Sequence, residues 1–144
     1  MKVLIDTNVV VDVLQQREPW FSDGAAIFAA VANRQIVGCL SSKQIDDLHF
    51  FSRKQFKGQE NVDAKARQVI GKLMSLFEVV DTLGMDCQNA MGINNGDYED
   101  AILMESAVRS GMDCIVTRNL EHFNPSPIPV YTPQDYIQTM NRPE

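Results

Sequence analysis

Side chains with oxygen or nitrogen donors fall at four separated places in this sequence, each beside a short apolar run. Asp6 closes Val3–Ile5, and Asp46 and Asp47 come shortly after Ile36–Leu40. Asp97 and Asp100 precede Cys114–Thr117, and Asn119 and His122 follow it. If the apolar runs are parallel strands, all four groups can meet at the carboxyl end of one sheet, where open α/β folds bind ligands. Gathered carboxylates repel and raise one another's pKa. A hard divalent cation such as Mg²⁺ or Mn²⁺ relieves that repulsion and prefers oxygen ligands. Each acid also has a plainer reading. Asp6 before Thr7-Asn8 is a good turn or capping residue, and Asp97, Glu99 and Asp100 suit a helix start. Asp100, however, shares a helical stripe with Ala101, Met104 and Val108, where a carboxylate needs a partner.

The elements that would position these groups follow from periodicity. Val3–Ile5 reads as a buried strand, and the break at Asp6-Thr7-Asn8 favours a helix over Val9–Leu14, capped by Thr7 or Asn8. Helical spacing continues over Trp20–Asn33, and Ile36–Leu40 is a second strand with Ser41 or Ser42 capping the next helix. A long amphipathic helix follows Gly58, then a strand at Phe77–Val80, a short helix at Asp86–Met91 and a turn at Asn94-Asn95-Gly96. The helix Asp97–Ser110 ends on Gly111, and strands at Cys114–Thr117 and Val130–Thr132 lead to a last helix from Pro133 to Met140. Alternating strands and helices imply a single α/β domain over 1–144, a three-layer α/β/α fold with a central parallel sheet.

Composition narrows the function classes. The 144 residues are 44% hydrophobic and 22% charged, as in an ordinary globular protein. No apolar run is long enough for a membrane span, and no signal peptide is legible, so a cytoplasmic location is expected. Cys39, Cys87 and Cys114 lack C-x-x-C spacing and read as reduced, buried thiols. The net charge of −6 argues against nucleic-acid binding. One stretch runs the other way: Arg53, Lys54, Lys57, Lys65, Arg67 and Lys72 stand against only Glu60 and Asp63. It reads either as a phosphate-binding face or as the solvated face of an amphipathic helix, the commoner case.

Three segments carry a resemblance to a family. "VLIDTNVVVDVL" resembles the opening strand and helix of PIN domains, with Asp6 as the first metal-binding acid. "CLSSKQIDDLHFF" is similar to their second motif and places the second acid at Asp47, beside Asp46. "GDYEDAILMESAVRSGMDCIVTRNLEHF" resembles the third and most specific segment, placing the third acid at Asp100 with Asp97 accessory. The resemblance implies a metal-dependent endoribonuclease in which Asp6, Asp47 and Asp100 hold Mg²⁺ or Mn²⁺, and Asp97 or Asn119 positions water or a second ion. Asn8, Thr117, Arg118 and His122 are auxiliary candidates, Thr117 toward Asp6 or a metal-bound water and Arg118 toward a phosphate. It further implies an RNA substrate, an antitoxin partner as in toxin–antitoxin pairs, and a homodimer. This sequence departs from the family where Asn119 and His122 stand at places often acidic, and where Asp47 replaces a commoner Glu.

Two rivals remain open: a PIN-like RNA-binding or interaction module with weakened catalysis, and a phosphotransferase using Asp6 as nucleophile. The latter needs a second acid where Asn8 stands. No glycine-rich turn for a dinucleotide follows the first strand, and His49 and His122 lack a nucleophile motif. Trp20 reads as a packing anchor.

Overall fold

The structure is a computed structural model that describes residues 1–143. Its five strands are β1 (Lys2–Ile5), β2 (Val37–Ser41), β3 (Glu78–Val80), β4 (Cys114–Val116) and β5 (Val130–Tyr131). They form one parallel sheet in the order β3-β2-β1-β4-β5. The chain therefore leaves β1 in one direction through β2 and β3 and returns to its other side with β4. This reversal makes the β1/β4 border the switch point, where crossover loops part and leave a crevice. Register across the border pairs Ile5 with Val116, so the next residues, Asp6 and Thr117, emerge side by side.

Among the described residues, seven α-helices cover the sheet: α1 (Thr7–Leu14), α2 (Phe21–Ala32), α3 (Ser42–Gln55), α4 (Val62–Leu76), α5 (Gly84–Ala90), α6 (Tyr98–Arg109) and α7 (Pro133–Met140). A short 3₁₀ helix spans Leu120–Phe123. Strand side chains alternate between faces, and the core divides accordingly. Val3, Ile5, Leu40 and Val116 pack with Val9, Ile27, Leu48, Leu73 and Tyr136 from α1, α2, α3, α4 and α7. Leu4, Cys39 and Ile115 pack on the opposite face with Leu103, Met104 and Ala107 of α6. These are the two helical layers expected around a parallel sheet.

Local signals fix the helix ends near the switch point. Asp6 itself caps α1, its side chain accepting from the Thr7 N–H, in place of the Thr7 or Asn8 cap expected from sequence. Ser41 caps α3 in a reciprocal capping box with Gln44. Gly96 and Gly111 bracket α6 at φ of +83° and +73°, a region open to glycine without a Cβ penalty. Val108, expected on the buried stripe of α6, is exposed, whereas Ala101, Met104 and Ala107 are buried. No helix among the described residues is long and apolar enough to cross a membrane. The three cysteines carry free thiols, buried at Cys39 and Cys114 as expected but only half-buried at Cys87.

Candidate active site

Asp6 is the most constrained acid of the site. Its backbone N–H donates to Val116 O at 2.9 Å, which extends the β1–β4 pairing by one residue. Oδ1 accepts from the Thr7 N–H at 2.7 Å and Oδ2 from the Thr117 hydroxyl at 2.6 Å. Thr117 Oγ1 in turn accepts from the Asn119 N–H at 3.0 Å. Gln44, only 2% exposed, braces the other side. Its Nε2 donates to Ile5 O at 2.7 Å and its Oε1 accepts from the Ser41 N–H at 2.7 Å, locking the end of β1 to the start of α3. Burial pushes the Asp6 carboxyl up to about 6. The Thr117 and Thr7 hydrogen bonds oppose that rise, and the nearby charges of Asp100 and Asp97 add to it.

Facing Asp6, the start of α6 supplies two more acids. Asp97 is the cap, with Oδ1 accepting from the Asp100 N–H at 3.0 Å. His122 Nδ1 lies 2.8 Å from Asp100 Oδ2 and 3.9 Å from Asp97 Oδ2. Asn95 Nδ2 donates to His122 O at 2.7 Å and so ties the turn before α6 to the 3₁₀ helix. The donor atoms of Asp97, Asp100 and His122 all lie within 4.8 Å of one another. Burial raises the Asp100 carboxyl, the His122 hydrogen bond draws it down, and Asp97 raises it again.

Asp6, Asn8, Asp47, Asp97, Asp100 and Asn119 line one cleft of about 420 Å³. Does that cleft suit a cation? Asn8 Oδ1 is a buried acceptor with no hydrogen-bond partner, a condition that costs roughly 1–3 kcal/mol unless a donor or cation meets it. Carboxylates and amide oxygens make a donor set suited to Mg²⁺ or Mn²⁺, and the His122 imidazole beside Asp97 and Asp100 suits Mn²⁺ better. The residues fit the ion.

A family model described as PIN domain matches residues 2–121. The chain belongs to the PIN-domain family. Similar solved structures include FitAcB from Neisseria gonorrhoeae, 14% identical with TM-score 0.69 over 92% of this chain and 98% of that one. DNA-bound VapBC from Salmonella typhimurium is 21% identical with TM-score 0.64 over 92% and 98%. VapBC2 from Rickettsia felis, bound to a DNA fragment from its promoter, is 15% identical with TM-score 0.60 over 91% and 97%. At these identities the likeness is one of fold. No curated protein matches the sequence.

In this PIN domain the second-motif acids separate. Asp47 turns into the cleft, but its Oδ2 is 2.6 Å from Lys43 Nζ, which also sits 3.7 Å from Glu99. Asp46 is exposed and borders a different hollow with His49 and Arg67. Asn119 does reach the cleft. Arg118 does not: its Nε and Nη2 donate to the buried Asp12 at 2.7 and 3.2 Å, and its guanidinium lies 3.9 Å from the Trp20 ring centroid. Arg118, expected toward a phosphate, thus forms an ion pair with the buried Asp12 beneath an aromatic ring. Trp20, expected as a packing anchor, is 41% exposed and covers that pair from outside. Lys43 and Gln44 went unnoticed in the sequence. The Ser-x-x-Gln capping box was the available signal for Gln44, and the i,i+4 spacing to Asp47 the signal for Lys43.

Proposed function

We propose that this PIN domain is a metal-dependent ribonuclease that hydrolyses RNA phosphodiester bonds, with Asp6, Asp97 and Asp100 holding Mg²⁺ or Mn²⁺ and His122, Asn119 and Asn8 beside them. The observation that carries this reading is the convergence of Asp6, Asp97 and Asp100, with Asp6 pushed up to about 6 by burial and by the other two. Such shifts mark functional sites. When bound, the ion polarises phosphoryl oxygens and lowers the pKa of an attacking water. The protein's part is preorganisation. Thr7 N–H and the Thr117 hydroxyl orient both Asp6 oxygens and leave each with a further lone pair. The His122 contact orients Asp100 Oδ2, and the Asp97 cap holds the Asp100 backbone N–H. Asp47 joins the ligands once Lys43 releases it.

Cleavage of a mixed RNA pool, with and without EDTA, tests the reading. Cleavage is expected only with metal, and Asp6→Asn or Asp100→Asn should lower it by about two orders of magnitude or more. Full activity in EDTA, or in either variant, overturns it. The Lys43–Asp47 pair favours a second reading, an RNA-binding PIN module with weakened catalysis, for which the same pool would be bound and left intact. An antitoxin partner and a homodimer belong to the proposal through the sequence resemblance to PIN toxins, and the fold likeness to VapBC assemblies supports the former. Co-expression with the neighbouring gene's product and co-purification test that partner.

A further inference from the structure

The acid cleft does not end at its carboxylates. Arg17, Phe50 and Phe51 form its outer wall. Two adjoining hollows continue from that wall, one bordered by Arg17, Phe51 and Lys54 and the other by Phe50, Arg53, Lys54 and Lys57. No carboxylate lines either hollow among the described residues. In a chain of net charge −6, this is a cationic track that touches the acid cleft directly. Arg17, at the cleft end, lies 3.9 Å from Asp12 and bonds Gln15, so Arg53, Lys54 and Lys57 carry the track; farther along, Arg67 is paired with Asp63 and Lys65 is bonded to Gln59.

Phe50 is the exception to apolar burial on α3. It is 59% exposed, with Phe51 edge-on to it at 6.0 Å between centroids and Lys54 Nζ 5.6 Å from its own ring centroid. A flat aromatic face beside an ammonium matches the two halves of a nucleotide. A base stacks on any aromatic face whatever its identity, and a phosphate takes the cation. A duplex hides its base faces, so such a device recognises an unpaired strand. We propose that Phe50 and Lys54 form a nucleotide subsite beside the acid cleft, where an unpaired substrate base stacks on the Phe50 ring and its phosphate meets Lys54. The proposal rests on the RNA-nuclease reading and adds to it where the flanking nucleotide is held. The cations around Phe50 set it apart from a plain apolar protein contact, because they need an anion as well as a surface.

The test is fluorescence anisotropy with a short labelled 2′-O-methyl RNA strand in EDTA, so that binding is read without cleavage. Phe50→Ala should weaken binding about tenfold, the scale of one lost base stack, and Phe50→Trp should retain it. Lys54→Gln should flatten the salt dependence by about one phosphate contact. On the same strand annealed to its complement, Phe50→Ala should have no effect. The proposal is overturned if Phe50→Ala binds the strand like the parent, or weakens strand and duplex alike. It is also overturned if that variant changes the protein's elution volume and leaves strand binding untouched, which would make the patch a protein interface. Cleavage of the RNA pool is scored separately. Strand binding through Phe50 without cleavage removes the nuclease reading and keeps the subsite, and cleavage with binding indifferent to Phe50 does the reverse.

Discussion

Lys43 Nζ lies 2.6 Å from Asp47 Oδ2, one turn along α3, and 3.7 Å from Glu99 across the cleft. Partial burial lowers the Lys43 ammonium, but the Asp47 hydrogen bond and the surrounding carboxylates outweigh it, and its pKa is raised. Lys43 therefore stays charged at neutral pH and occupies the acid that the second motif contributes. Lys43→Met should free Asp47 and remove a cation from the cleft. Mn²⁺ affinity by titration calorimetry should then rise roughly five- to tenfold, about 1 kcal/mol, the scale of one screened charge at short range. Unchanged or weaker binding would place Asp47 outside the ion's reach.

His122 bears on the choice of metal. Its Nδ1 sits 2.8 Å from Asp100 and 3.9 Å from Asp97, so an imidazole occupies a place where the family often has an acid. Nitrogen ligands suit Mn²⁺ better than Mg²⁺. Initial cleavage rates with Mn²⁺ should exceed those with Mg²⁺, and His122→Asp should raise the Mg²⁺-supported rate. If His122→Asp is unchanged or slower with Mg²⁺, the histidine does not stand in for a missing ligand.

The expectations from sequence fared differently according to what fixed each position. Asp6, Asp97 and Asp100 were legible because a strand end and a helix start are local events, written in Val3–Ile5 and in the Asn95-Gly96-Asp97 turn. The alternation of strands and helices likewise carried the layered sheet. Lys43–Asp47 was not legible, because i,i+4 spacing permits an ion pair and only the cleft decides which partner the acid faces. Arg118 and Trp20 escaped for a related reason. Asp12 is buried on α1, and what it meets across more than a hundred residues of chain depends on tertiary packing. His122 was legible as a donor after the fourth strand, but the four-residue 3₁₀ turn that carries it is too short for any period to reveal its contact with Asp100.

Acidity offers a test that needs no substrate. The folded-state Asp6 carboxyl titrates at about 6 against 3.8 for the unperturbed group. Between those values the folded protein holds a proton that the unfolded chain has lost, so metal-free stability must fall as pH rises through the window. The full effect is on the order of 3 kcal/mol. Asp86 pulls in the opposite direction, since Arg109, Ser106 and the Leu83 N–H outweigh its burial and lower its carboxyl. The clean readout is therefore the difference between parent and Asp6→Asn in urea unfolding with EDTA. The variant should gain on the parent steadily from about pH 4 to pH 7. A difference that does not change with pH would mean that Asp6 is not held up by its site.

Repulsion within the cluster makes a last prediction whose sign separates two roles for Asp100. At pH 7.5 without metal, the charges of Asp6, Asp97 and Asp100 act on one another across the cleft, a stability–function conflict usual for active sites. The cap of α6 is Asp97, whose side chain accepts the Asp100 N–H, so Asp100 can lose its charge without loss of that cap. Asp100→Asn also keeps an oxygen toward His122. In EDTA the variant should melt above the parent, by roughly 2–4 °C for each kcal/mol of repulsion removed at this chain length. A plain helix-start role predicts the reverse, a loss of about 0.3–1 kcal/mol. Added Mn²⁺ should raise the parent's Tm through binding to the native state and raise the variant's much less. Melting scans of both proteins, with and without Mn²⁺, decide between the two. A variant that melts lower in EDTA and responds to Mn²⁺ like the parent would show that Asp100 serves the helix and not the ion.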